Sequence, residues 1–132
     1  MRLYLDSSAL VKLVQRERES AALRRYLRRH RDDLRVTSAL ARVEVVRAVL
    51  EGGAAAVGHA RRVLDRVHQI AVDRDLIDEA ATIAPGAMLR SLDAIHLVAA
   101  RSVGPDLRAI VTYDRRLKTA AGALSIAVVD PQ

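Results

Sequence analysis

Residues 3–12 read LYLDSSALVK, a short apolar run that ends at Asp6 and is followed by two serines. An apolar run of this length is typical of a buried strand, Leu3–Leu5, and the residues after it have helical spacing. The two serine hydroxyls are predicted to cap the helix Ala9–Val14. The chain therefore begins with a strand, and Asp6 lies at the carboxyl end of that strand.

Strands and helices alternate along the rest of the chain. Four more strands are predicted, at Leu34–Thr37, Ile70–Val72, Ala109–Thr112 and Ile126–Val129. Helices are predicted from a cap at Ser20 to about His30, from a cap at Ser38 to about Leu50, from Ala55 to His68, from Asp73 or Asp75 to Ala84, from a cap at Ser91 over Leu92–Val103, and over Arg115–Ala121. Short apolar strands between helices favour a parallel sheet covered on both faces. We therefore predict a three-layer α/β/α fold with a central parallel sheet of about five short strands, built by residues 1–132 as a single domain.

Arginine dominates the charge of this chain. The formal net charge is +6 and the pI is about 10.7, while Lys12 and Lys118 are the only lysines. Guanidinium groups form paired contacts with phosphate and stack on bases, which suits a polyanionic partner. The alternative is that arginine-rich segments such as residues 24–31 are only solvated helix surface, and net charge alone does not decide between the two.

Cysteine and long apolar segments are both absent from the sequence. Disulfides and thiolate metal sites are therefore excluded. No apolar stretch is long enough to span a membrane, and the apolar run after Met1 is too short for a signal peptide. The sequence predicts a soluble protein with a cytoplasmic location and no membrane partner.

Four acidic residues are the candidates for chemistry: Asp6, Glu44, Asp93 and Asp114. Asp6 and Asp114 follow predicted strands, at the edge where open parallel sheets build their sites. Asp93 begins a helical pattern, and Glu44 lies inside one. Four carboxylates that meet at one point repel each other unless divalent cations neutralise them. Their convergence would predict a metal site, and metal chemistry on a basic protein suggests a phosphodiester substrate.

Each of these acids also has an ordinary structural explanation. An aspartate at a helix start accepts hydrogen bonds from free amides and complements the helix dipole. Glu44 is too far inside its helix to be a cap, but it and Arg47 are spaced for an intrahelical ion pair. From the residues alone, both interpretations stay open.

Four segments together resemble the motifs of the PIN domain family. They are LYLDSSALVK at 3–12, SALARVEVVR at 38–47, SLDAIHLVAA at 91–100 and VTYDRRL at 111–117. The resemblance covers nearly the whole chain, in the order and spacing of that family, and all four acidic positions are kept. In size and detail the chain looks most like the VapC-type toxins of toxin–antitoxin pairs.

The resemblance implies a metal-dependent endoribonuclease that leaves a 5′-phosphate and a 3′-hydroxyl. Asp6, Glu44, Asp93 and Asp114 would form its catalytic and metal-binding site for one or two Mg²⁺ or Mn²⁺ ions. Asp6 and Asp93 would contact the metal directly, and the other two directly or through water. It also implies an RNA substrate, a cognate antitoxin that occludes the site, and a homodimer.

Supporting roles are predicted for five further residues. Ser8 either binds a site carboxylate or phosphate or caps its helix, and Thr112 either orients the loop before Asp114 or is a plain strand residue. Arg47 is expected to hold Glu44 or contact phosphate, and Arg115 and Arg116 to bind RNA beside the site. His96 is interpreted as a hydrogen-bonded core residue.

The rival interpretation is a non-catalytic module that binds RNA or sequesters an antitoxin, because a basic surface suits that role too. A phosphoacceptor domain is disfavoured, since Asp6 has no adjacent acid and the late strand offers no lysine.

Overall fold

The computed structural model describes all residues 1–132. Five parallel strands form one sheet in the order β3-β2-β1-β4-β5. Their bounds are β1 Arg2–Leu5, β2 Leu34–Ser38, β3 His68–Ile70, β4 Leu107–Val111 and β5 Val128–Val129. The predicted parallel sheet of about five short strands is confirmed.

Seven α-helices connect and cover the strands. They are α1 Ser7–Val14, α2 Ser20–Arg29, α3 Ala41–Val49, α4 Gly53–Asp65, α5 Arg74–Ala80, α6 Ser91–Ser102 and α7 Arg115–Ala123. Short 3-10 turns lie at Leu50–Gly52 and Gly104–Asp106. None of these helices combines the length and the apolar character needed to cross a membrane.

The alternation of side chains along the strands divides the core into two layers. On β1, Leu3 and Leu5 face one side of the sheet and pack with α1 to α4. Tyr4 faces the other side and packs with α5 to α7. Helices therefore cover both faces of the sheet, and the three-layer α/β/α prediction is confirmed.

Several predicted helix caps are wrong. The cap of α1 is Asp6, whose side chain accepts a hydrogen bond from the Ala9 amide, and the two serines are the first helical residues. Ser20 and Ser91 likewise lie inside their helices, after Glu19 and Arg90. Ser38 is not a cap either. It pairs with Ile70 as the last residue of β2, so the strand runs on through it and α3 begins three residues later.

The candidate site lies where the order of the sheet reverses. From β1 the chain proceeds to β2 and β3 on one side, and β4 and β5 lie on the other side of β1. In open parallel sheets, sites form at the carboxyl ends of the strands that flank such a reversal. Asp6 directly follows β1, where its amide donates to the Val111 carbonyl at 3.2 Å, and Asp114 follows β4.

At the opposite edge of the sheet, the buried carboxyl of Asp33 forms an ion pair with the exposed side chain of Arg108. Arg108 donates to both of its carboxylate oxygens, and hydrogen bonding to that guanidinium lowers the pKa of Asp33 to about 2. A carboxyl whose folded pKa is depressed stabilises the fold above its unfolded pKa, about 4, and loses that contribution as the pH falls through the folded value.

We therefore predict that Asp33→Asn melts at a lower temperature than the wild type at pH 6, and that the difference shrinks steadily between pH 4 and 2. Thermal unfolding followed by circular dichroism measures it. Asp32→Asn is the matched control, because Asp32 is exposed and forms no ion pair. A difference between Asp33→Asn and wild type that does not depend on pH would contradict the prediction.

Candidate functional site

Asp6 is buried at the carboxyl end of β1, with an exposed fraction of only 4%. Its Oδ1 atom accepts hydrogen bonds from Ser8 Oγ at 2.6 Å and from the Ala9 amide at 3.0 Å, and Oδ2 accepts from Thr112 Oγ1. Burial raises the pKa of the Asp6 carboxyl, and these hydrogen bonds oppose the rise. The carboxylate is therefore fixed in one orientation by α1 and by the end of β4.

Ser8 and Thr112 also fix the turn that follows β4. The Tyr113 amide donates to Ser8 Oγ at 2.9 Å, and the Asp114 amide donates to Thr112 Oγ1 at 3.0 Å. Both hydroxyls thus contact Asp6 and the backbone that carries Asp114. Ser8 thus contacts a carboxylate and is not the cap of α1, and Thr112 contacts both Asp6 and the loop before Asp114.

Glu44 extends from α3 toward the amino-terminal end of α1. Its Oε1 atom accepts a hydrogen bond from Ser7 Oγ at 2.7 Å and lies 2.6 Å from His96 Nε2. On the other side of the imidazole, Nδ1 lies 2.7 Å from the hydroxyl of Tyr4, on the face of the sheet that α5 to α7 cover. His96 is fully enclosed, as expected of a core histidine, and it connects the core to the candidate site.

The positions of the protons on Glu44, His96 and Tyr4 can be assigned from the chemistry of their contacts. Desolvation, the largest effect, raises the pKa of Glu44, but hydrogen bonds from His96 and Ser7 outweigh it and the net pKa is lowered. An ionised carboxylate only accepts hydrogen bonds, so Nε2 of His96 carries a proton. Burial raises the pKa of Tyr4, so its phenol keeps its proton and donates to Nδ1.

Asp93 and Asp114 are brought together by an arginine. Arg90 donates from Nε to Asp93 Oδ2 at 2.9 Å and from Nη2 to Asp114 Oδ2 at 3.0 Å. Asp93 belongs to the first turn of α6, and Asp114 caps α7 by accepting from the Leu117 amide at 3.0 Å. The two aspartates on these neighbouring helix starts therefore share one cation.

Three of the predicted supporting residues do not contact the acids. Arg47 is exposed and forms no ion pair with Glu44, so the intrahelical pair is absent. Arg115 and Arg116 are exposed on the first turn of α7, directly after Asp114, and neither side chain has a partner. All three guanidinium groups are free to meet a ligand from solution.

Comparison with known proteins identifies the family. The model of the PIN domain family matches residues 3–123. The chain belongs to the PIN domain family. Within it, ribonuclease VapC46 of Mycobacterium tuberculosis is 50% identical over 129 residues, which cover 98% of this chain and 97% of that relative. Ribonuclease VapC35 of the same species is 46% identical over 132 residues, covering 98% and 96%.

Solved structures share the fold of this PIN-domain chain. VapC20 of M. tuberculosis, a toxin that cleaves the sarcin–ricin loop, superposes with a TM-score of 0.76 at 20% identity, over 98% of this chain and 99% of that chain. A toxin–antitoxin complex from Klebsiella pneumoniae gives 0.75 at 18% identity, over 98% of each chain. The resemblance to VapC-type PIN domains is thereby confirmed.

The sequence did not mark three residues that shape the site of this PIN-domain chain: Tyr4, Ser7 and Arg90. Tyr4 looks like a strand residue and Ser7 like a helix cap, and their partners lie 92 and 37 positions away. Only Arg90 carries a local signal. It stands three residues before Asp93 at a helix start, a spacing that allows an ion pair.

The donor chemistry of this site fits a divalent cation. Carboxylate oxygens are the ligands that Mg²⁺ and Mn²⁺ prefer. Asp6 is a buried carboxylate hydrogen-bonded only to neutral donors. As the side chains stand, however, no three His, Asp or Glu residues are grouped closely enough to hold a metal ion. Arg90 contacts one carboxylate oxygen of Asp93 and one of Asp114 in this arrangement.

Proposed function

We propose that this protein is a metal-dependent endoribonuclease toxin that hydrolyses RNA phosphodiester bonds. The observation that carries the proposal is the position of four acids, Asp6, Glu44, Asp93 and Asp114, around the carboxyl ends of β1 and β4. Curated relatives with up to 50% identity over nearly the whole chain are named ribonucleases, which supports RNA as the substrate.

Mg²⁺ or Mn²⁺, as one or two ions, is the proposed cofactor. Asp6 and Asp93 would hold it directly, and Glu44 and Asp114 directly or through water. Bound there, such an ion makes a water nucleophilic at neutral pH and neutralises charge that develops on the phosphate. The products would be a 5′-phosphate and a 3′-hydroxyl.

The protein's own groups would orient the acids and the substrate. Ser8 and Thr112 hold the Asp6 carboxylate in place, and Ser7 and His96 hold Glu44. Because these partners leave little rotational freedom, the acids would present their oxygens without reorganisation when RNA binds. His96 would act as a positioning residue rather than a general base, since both ring nitrogens are already engaged.

Arg47, Arg115 and Arg116 are the proposed phosphate contacts. With only three tyrosines and no phenylalanine or tryptophan, the chain offers few surfaces on which bases can stack. Recognition should therefore depend on backbone charge and RNA shape.

Binding to single-stranded RNA is accordingly expected to weaken steeply with salt, measured by fluorescence anisotropy on the Asp93→Asn background, which prevents cleavage. Loss of one phosphate contact should reduce the slope of log K against log salt by about 0.7. Replacing both Arg115 and Arg116 by Gln should therefore lower it by roughly 1.4.

Arg61→Gln with Arg62→Gln removes the same charge from the exposed second half of α4, which leads to the opposite edge of the sheet. This control pair should leave the slope nearly unchanged. Equal slopes for both double variants would show that only net charge matters and would contradict the assigned contacts.

We further propose that residues 1–132 form a single PIN domain that acts in the cytoplasm as a homodimer. A cognate antitoxin would neutralise it by covering the acids. Toxin–antitoxin complexes among the structural neighbours support such a partner. A small reading frame directly upstream of the gene would support it further.

The alternative function is a non-catalytic module that binds RNA or sequesters an antitoxin. One observation favours it: no three metal-ligating side chains are grouped as the site stands. Sequencing 5′ ends of cellular RNA after brief expression distinguishes the two. If the protein is a ribonuclease, new 5′ ends should appear with the wild type and be absent with Asp93→Asn. If it is a binding module, the two proteins should give the same set of 5′ ends, with no new ends from the wild type.

A further inference from the structure

Arg90 is the one arginine or lysine that contacts any of the four acids, and it contacts two of them, Asp93 and Asp114. It joins Asp93 and Asp114 through separate nitrogens, at 2.9 and 3.0 Å. The rest of the molecule gives its guanidinium no other hydrogen-bond partner. Its guanidinium therefore occupies the space between two acids that come from different parts of the chain.

The location of Arg90 is electrostatically unusual. It is the residue before the first turn of α6, where the positive end of a helix dipole disfavours a cation. It also approaches Asp114, the cap at the positive end of α7. Only the two carboxylates compensate for this, so the arginine is held there by the acids and not by its own helix.

Arg90 contacts the Oδ2 atom of each aspartate. Asp114 uses Oδ1 to cap α7 and presents Oδ2 to Arg90. Asp93 likewise presents Oδ2. While the guanidinium binds these atoms, the two aspartates cannot offer them to a metal ion, in keeping with the lack of any metal-sized group of three ligands.

We propose that Arg90 is an internal counter-cation that competes with the divalent ion for Asp93 and Asp114. The inference rests on the proposed metal-dependent function. Without metal, Arg90 neutralises the two acids. An ion that takes the two Oδ2 atoms displaces it, and the exchange costs little because its side chain is 62% exposed and returns to water without disturbing the core. The site thereby sets its own metal affinity.

The test is direct Mn²⁺ binding, measured by the electron paramagnetic resonance signal of free Mn²⁺, with no RNA present. Arg90→Gln should bind Mn²⁺ roughly 5- to 10-fold more tightly than the wild type, the worth of two partly exposed ion-pair contacts. The Mn²⁺ affinity of Arg90→Lys should lie between those of the wild type and Arg90→Gln, because an ammonium does not bridge two carboxylates in the manner of a guanidinium.

Arg115→Gln is the matched control, since it removes the same charge beside Asp114 but no contact with an acid. It should change the Mn²⁺ affinity by less than about 2-fold, because exposed charges are well screened. Tightening in Arg115→Gln equal to that in Arg90→Gln would overturn the inference and leave only a general charge effect.

Thermal unfolding provides a second readout that involves neither RNA nor turnover. The rise in Tm on adding saturating Mg²⁺ should be larger for Arg90→Gln than for wild type, because ligand stabilisation grows with affinity. Equal Mn²⁺ affinities in these two proteins would overturn the inference while the metal-dependent function stands. Absence of Mn²⁺ binding in every variant would overturn the proposed function, and the inference with it.

Discussion

Asp93→Asn is expected to lower divalent-dependent RNA cleavage by roughly 10³-fold, the largest loss predicted for any single exchange. A metal ion contributes several kcal/mol to stabilising charge in the transition state, and each 1.4 kcal/mol corresponds to a factor of ten in rate. Asparagine keeps the size of the side chain but removes the negative charge, so the ion would be lost or held weakly. Single-turnover cleavage of a labelled RNA at saturating Mg²⁺ measures the effect.

Asp73→Asn separates chemistry from helix capping. Asp73 caps α5 by accepting from the Leu76 amide at 2.9 Å, as Asp6 and Asp114 cap their helices. Its replacement should leave the cleavage rate within about 2-fold, because capping contributes only about 1 kcal/mol to stability and nothing to the reaction. Metal-dependent cleavage retained by a folded Asp6→Asn, Asp93→Asn double variant would rule out the proposed metal site.

Residue positions could be predicted best where the local sequence pattern and the fold agree. Asp6 and Asp114 follow apolar strands, and the parallel topology brings those strand ends together, so their proximity follows from periodicity and sheet geometry. Glu44 was different. The spacing of Arg47 suggested an ion pair within α3, whereas the structure turns Glu44 toward His96 and Ser7. Only the family resemblance assigned Glu44 to the site.

Contacts between residues that are far apart in the sequence could not be predicted from the local sequence pattern. The helix starts show this well, because a serine and an aspartate both make good caps and the sequence offers both after β1. Asp6 becomes the cap of α1 because Thr112, 106 positions away, holds its other oxygen. Arg90 meets Asp114 across 24 positions through the arrangement of α6 beside α7.

His96 is expected to have the largest effect on stability among the residues around the site. Replacing it by leucine removes the imidazole partner of the buried Tyr4 hydroxyl and a donor from Glu44. Each buried polar group left without a partner costs about 1–3 kcal/mol, so the free energy of unfolding should fall by about 2–4 kcal/mol. Urea denaturation measures this loss.

The cleavage rate of His96→Leu should fall as well, by about 10- to 100-fold, because outer partners of site carboxylates orient them for the reaction. His96→Gln tests that explanation, since its amide still donates toward Glu44 while it cannot titrate as a base. If His96 positions Glu44, glutamine should recover much of the rate and keep the pH profile of the wild type. Equal losses in the two variants, with a changed pH profile in both, would instead make His96 a participant in proton transfer.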